Sequence, residues 1–140
     1  MEKWISYAFI SMFFAGFTSV IAKMGLTGIS GELGLTIRTL FVCGFVLAFA
    51  AWAVPVKELA SVETRNLLWL GLSGVTTALS WIFYYKALKA GDVATVALID
   101  KGSVVVAMLL AWLVLREVIT LRMLIGAALI VAGLIVIARK

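Results

Sequence analysis

Histidine is absent from this chain of 140 residues, and cysteine and proline occur once each, as Cys43 and Pro55. Without histidine the chain lacks the side chain most used to shuttle protons near neutral pH and the commonest zinc ligand. No acidic or thiol cluster at ligand spacing replaces it, so neither a metal nor a cofactor is expected. A lone thiol cannot close an internal disulfide, and Cys43 lies inside an apolar run, where it reads as a small core residue. Charge is also scarce. Only 14% of residues are Asp, Glu, Lys or Arg and 64% are apolar, against roughly a quarter charged in a soluble domain. A water-soluble enzyme and a disordered segment are excluded by that balance. Twelve bases against seven acids leave a net charge of +5, but the bases are scattered in ones and twos and form no patch for a nucleic acid. No nucleophile stands beside a base, so no catalytic residues are assigned. Gly25, Gly28 and Gly31 lack the strand and lysine of a phosphate loop.

What remains is a mean hydropathy of +1.17 gathered into five long runs. Crossing about 30 Å of hydrocarbon at a rise of 1.5 Å per residue takes about 20 residues. Helices are expected over 4–24, 33–54, 67–88, 93–115 and 121–138. The runs are continuous and do not alternate, which excludes a β-barrel. The fold class is therefore an all-α integral membrane protein, one transmembrane domain over 1–140, multi-pass in the cell membrane. The first run follows Lys3 as a secretion signal would, but it lacks a small-residue cleavage site and reads as a retained span. The links are short. A glycine-punctuated turn occupies 25–31, and Pro55 ends the second span. Residues 56–66 have room for one interfacial helical turn or two, Asp92 is placed to cap the fourth span, and 116–120 is barely a turn.

Five spans put the termini on opposite faces, and each face collects five bases. Lys3, Lys57, Arg65, Arg116 and Arg122 lie on one, and Lys23, Lys86, Lys89, Arg139 and Lys140 on the other; Arg38 and Lys101 lie within spans. The positive-inside bias that normally orients short-loop proteins is missing. Two readings stay open: a weakly biased protein inserted one way, and dual topology with copies paired head to tail. An odd-span unit paired with its inverted copy acquires the two-fold symmetry of many secondary transporters. A lone bundle of five helices encloses little, so an antiparallel homodimer is its natural completion.

Ionisable residues within the bilayer are costly and mark function or fastening. Asp100 lies about 12 Å into its span, and Arg38 about 9 Å into its own, counted from Asp92 and Glu32. Both descend from the same face. A pairing of Asp100 with Arg38 or Lys101 would relieve the burial penalty, either as a static clamp or as the lining of a polar pocket. Two bases against one acid favour a solute with an anionic group. Adjacent on a helix, Asp100 and Lys101 point about 100° apart, while Ser103 shares the face of Asp100. Gly102 permits a close approach or a local distortion. On the third span Ser73, Thr77, Ser80 or Trp81, and Tyr84 make one polar stripe, with Thr77, Trp81 and Tyr84 as pocket wall. Small residues at close helix spacing, Gly44 with Ala48, Gly74 with Ala78, Ala128 with Ala132, and Gly126 with Gly133, mark helix packing or dimer contact. The fifth span is the choice for the contact between copies.

Residues 113–120, Leu-Val-Leu-Arg-Glu-Val-Ile-Thr, followed by 124–133, Leu-Ile-Gly-Ala-Ala-Leu-Ile-Val-Ala-Gly, resemble the closing signature of the EamA domain of the drug/metabolite transporter superfamily. Residues 81–91 and 99–104 are similar to a branch of single-domain chains. The resemblance implies one half of a ten-helix inverted-repeat carrier, assembled as an inverted homodimer in the cell inner membrane. It further implies a secondary transporter moving an amino acid or other metabolite outward by alternating access; from the charges inside the spans, Asp100 is the candidate for coupling to protons or another ion. Arg38 and Lys101 would orient the solute, and Trp81, Tyr84 and Ser103 would touch it. Glu117, in the last link, has a structural role by analogy. Where many relatives carry a proline early in the fourth helix, this chain has Gly102 and Ser103. The first span holds no acid, unlike the four-helix multidrug exporters. Two alternatives stand beside transport of a solute: a non-transporting scaffold or accessory subunit, and a lipid or small-molecule flippase.

Dual insertion predicts that a tag fused to the C-terminus is reached by protease from both sides of the membrane. Single insertion predicts protection on one side, and protease treatment of intact and opened vesicles distinguishes the two.

Overall fold

A computed structural model describes residues 3–138; Arg139 and Lys140, which entered the charge tally, lie outside the described residues. The elements in chain order are α1 (Lys3–Gly25), α2 (Gly31–Ala53), α3 (Val56–Leu59), α4 (Thr64–Ala90), α5 (Val93–Asp100), α6 (Ser103–Leu110), a π-helical turn (Ala111–Leu115) and α7 (Leu121–Ala138). No strand occurs among the described residues. Five helical stretches are long and apolar enough to span a bilayer: α1, α2, α4, the composite Val93–Leu115, and α7. The expected spans are therefore present. The third begins earlier than its apolar run, because backbone bonding carries the helix through polar Thr64, Arg65 and Asn66. Only helices satisfy every backbone group in hydrocarbon without help from neighbours.

The chain divides into two compact units, Val20–Ala90 and, together, Met1–Ser19 with Gly91–Lys140. In the first unit the end of α1 turns through Gly28, whose φ of 77° needs a residue without a Cβ. Ser30 then caps α2, its hydroxyl accepting from the Leu33 N–H at 3.2 Å. Here α2 meets the last turns of α4. A Cβ added at Gly31 would stand 3.0 Å from the Tyr85 carbonyl oxygen, so only glycine allows the two backbones this close. Leu26, Tyr85 and Leu88 are buried at this junction.

Two lysines fasten it reciprocally. Lys89, at the end of α4, donates to the Leu26 carbonyl just past α1 at 2.9 Å. Lys23, at the end of α1, donates to the Leu88 carbonyl near the end of α4. Each helix C-terminus thus receives a cation where its free carbonyls and negative dipole end favour one. Farther along, Pro55 leaves Val54 extended and stops α2, and of the one or two turns for which the second link has room α3 is a single one.

In the second unit the fourth span is interrupted by one tightened turn, in which Lys101 and Gly102 keep right-handed helical dihedrals (φ/ψ −65°/−14° and −58°/−24°). Helix α5 ends at Asp100 and α6 begins at Ser103, and between them the bonding tightens to i→i+3: Lys101 N–H to Leu98 O at 3.1 Å and Gly102 N–H to Ile99 O at 2.9 Å. Gly102 supplies both the approach and the distortion it was read as permitting. A Cβ there would lie 2.9 Å from Leu134 Cδ1 on α7. Asp92 stands at the N-cap of α5, but its side chain makes no capping bond.

Leu88 is fully buried whereas Leu129 is 69% exposed. Leu88→Ala is expected to lower stability by about 2–4 kcal/mol, and Leu129→Ala to change it by under about 0.5 kcal/mol. Thermal unfolding in detergent reads both.

Candidate functional site

A groove of about 880 Å³ runs between α2 and α4 within the first unit. On α2 its wall is built by residues 32, 35, 36, 39 and 40, and on α4 by 70, 73, 74, 77, 78, 81 and 82. Both sets follow the three- and four-residue steps of one helical face. Gly74 and Ala78 keep the floor low, and nothing lies within 4 Å of a Cβ added at Gly74. These two small residues, read from the sequence as marks of helix packing or dimer contact, border open space within the chain.

The polar atoms of the wall have a definite character. Thr36 donates its hydroxyl proton to Glu32 O at 2.9 Å, Thr39 to Leu35 O at 2.8 Å, and Thr77 to Ser73 O at 2.8 Å. Such back-bonding hides each donor in its own helix and leaves only oxygen lone pairs for a solute. Glu32 adds a carboxylate at the rim, 3.5 Å from Lys86 Nζ in an exposed pair.

Arg38 holds the opposite charge. Its guanidinium carbon sits 4.3 Å from the centroid of the Trp81 ring and 5.8 Å from that of Tyr85. A planar cation over an aromatic face is held by the ring quadrupole, more strongly where water is excluded. Its Nη1 is the buried side-chain nitrogen or oxygen that has no hydrogen-bond partner among the described residues. An unmet donor of that kind calls for an acceptor.

Thr77 and Trp81 line the groove, whereas Arg38 is not among its lining residues and lies against the Trp81 ring. Tyr84 is not part of the wall; its ring stands edge-on to Tyr85, with centroids 6.5 Å apart. Asp100, Lys101 and Ser103 belong to the second unit. There Lys101 Nζ reaches Asp100 Oδ2 at 3.7 Å, one of the two pairings considered from the sequence, although neighbours on a helix point about 100° apart. The helix ends between them, and the long lysine stem spans the remaining angle.

Three polar wall residues escaped the sequence reading, Glu32, Thr36 and Thr39, beside the apolar Leu35, Leu40, Leu70 and Ile82. Their signal was present as polar residues at i, i+4 and i+7 along an otherwise apolar span. Among the described residues no group of His, Cys, Asp and Glu could hold a metal.

Residues 2–139 match the family model described as the EamA-like transporter family. The chain is also similar to an "Uncharacterized transporter in cobO 3'region" from Sinorhizobium sp., 35% identical over 137 residues, which covers 98% of this chain and 97% of that protein. No solved structure matches.

Gly74→Leu is expected to fold at least as well as the parent, since the added side chain meets open space and helix propensity gains about 1 kcal/mol. In a Cys43→Ser background it should slow maleimide labelling of a cysteine placed at Thr77 by about tenfold, equivalent to ~1.4 kcal/mol.

Proposed function

The chain belongs to the EamA-like transporter family, and from that membership and the groove beside Arg38 we propose a secondary transporter that carries a small anionic or zwitterionic solute. Alternating access in an inverted homodimer is the working mode, and export of an amino acid is what the resemblance implies. The observation that carries the reading is the buried, unpartnered Nη1 of Arg38, held against the ring that walls an 880 Å³ groove. A carboxylate of the solute supplies the missing acceptor. An ammonium suits the Thr36, Thr39 and Thr77 hydroxyls, which have only lone pairs left, and the Glu32 carboxylate, while Ser73 and Trp81 on the same wall can donate to other solute groups.

Asp100 is the coupling residue in this reading. It lies inside a span, and its pair with Lys101 at 3.7 Å is longer than a good hydrogen bond. That leaves the carboxylate capacity for a proton or cation. Lys101, Ser103 and Tyr84 are assigned to solute contact in the same reading, each within its own unit. The second copy packs on α7, where nothing lies within 4 Å of a Cβ added at Gly126 or Gly133, and Ala128 and Ala132 are accessible. Gly44 on α2 is open in the same way.

Flux of labelled amino acids and organic acids into reconstituted vesicles tests the reading. Arg38→Gln is expected to reduce flux by at least about tenfold, and Arg38→Lys to recover little of it, because lysine keeps the charge but loses the planar stack. Asp100→Asn is expected to retain exchange while abolishing its response to a proton gradient. Unchanged flux in folded Arg38→Gln protein would overturn the assignment of the groove. Absence of flux for every solute would return the chain to the scaffold reading.

A further inference from the structure

A second cavity, of about 550 Å³, lies at the link between the π-helical turn and α7, lined by Trp112, Leu113, Arg116, Glu117, Val118 and Ile119. It follows directly on the span that ends at Leu115, at the depth where Trp and Arg side chains sit among headgroups. Three features single it out. Arg116 has a φ of 56° and a ψ of 33°, and it is the non-glycine residue with positive φ among those described. A Cβ is unfavourable in that left-handed region, so an arginine there holds a conformation that glycine would adopt freely. The backbone is nonetheless pinned, because the N–H groups of Arg116 and Glu117 both reach the Ala111 carbonyl. Lastly, Arg116 and Glu117 both line this one cavity, yet neither belongs to an ion pair among the described residues, which are Lys86–Glu32 and Lys101–Asp100.

A basic and an acidic residue on one cavity, together with Trp112, Leu113, Val118 and Ile119, complement an amphiphile that is itself zwitterionic. We propose that this cavity binds the headgroup of a phospholipid carrying a primary ammonium: the phosphate on Arg116, the ammonium on Glu117, and the glycerol end against Trp112 and Leu113. A guanidinium matches phosphate oxygens in bidentate fashion. A carboxylate distinguishes an ammonium with N–H donors from a trimethylated one, which offers none. An anionic lipid gains the arginine but meets the charge of Glu117. The site is separate from the α2–α4 groove and does not depend on the transport reading.

Native mass spectrometry of the full chain, released from micelles doped with phosphatidylethanolamine, phosphatidylcholine or phosphatidylglycerol, tests it. The parent is expected to retain phosphatidylethanolamine about tenfold better than phosphatidylcholine, a difference of ~1.4 kcal/mol. Glu117→Gln should erase that preference. Arg116→Gly is the decisive variant, because it removes the guanidinium while relieving the left-handed backbone. It should melt no lower than the parent and lose about tenfold in phosphatidylethanolamine retention. Equal retention of the two lipids by the parent overturns the proposal. So does unchanged retention in Arg116→Gly, or a loss that occurs only together with dissociation of a dimer, which would assign the pair to a second copy.

Discussion

Hydrocarbon offers no hydrogen bonds, and every polar group carried into it must find a partner in the chain, in a solute or in another copy. Most of the local structure follows from that constraint. The threonine hydroxyls of α2 and α4 bond back to their own helices. Lys23 and Lys89 spend their charge on the free carbonyls of each other's helix ends. Asp100 is answered by Lys101, and the Arg38 guanidinium lies over Trp81. Against this background of satisfied groups, the unmet Nη1 of Arg38 stands out.

The groove is an outcome of small residues as much as of polar ones. Gly74 and Ala78 withhold side chains where α2 and α4 face one another, and the stripe running from Leu70 to Ile82 becomes a wall. Glycines elsewhere do the opposite. Gly31 brings α2 against the Tyr85 backbone, and Gly102 brings the interrupted fourth span against Leu134. Small residues thus close one end of the first unit and open its middle, and their spacing alone does not distinguish the two uses. Only the neighbour each one meets does so.

Charge is distributed in the same economical way. One unit carries Arg38 with its aromatic platform, and the other carries Asp100 and Lys101 at the tightened turn. Interruptions of this kind shift side chains from helical register, and many carriers place their ion and solute sites where a span is discontinuous. The π-helical turn and left-handed Arg116 add a second irregularity to the same span, at its interfacial end.

Composition and run length by themselves determined the class, the five spans and their short links, because a membrane admits few ways to satisfy a backbone and hydropathy is a direct readout of burial in lipid. The residues at 81–91, 99–104 and 113–133 carried the family resemblance. Thr77, Trp81 and Arg38 were legible as candidates, since a charge or a polar stripe within an apolar run is conspicuous. Glu32, Thr36 and Thr39 were not, because threonine is ordinary in a span and its hydroxyl is hidden by back-bonding. Only the tertiary structure decided that Arg38 lies on Trp81, that Gly74 borders open space while Gly31 borders backbone, and that the helix ends between Asp100 and Lys101. The physical reason is that periodicity specifies which face of a helix a residue occupies, whereas the contact made by that face depends on how two helices approach. That approach is set by a few close contacts, Gly31 with Tyr85 and Lys23 with Leu88 among them, between residues more than fifty positions apart in the chain.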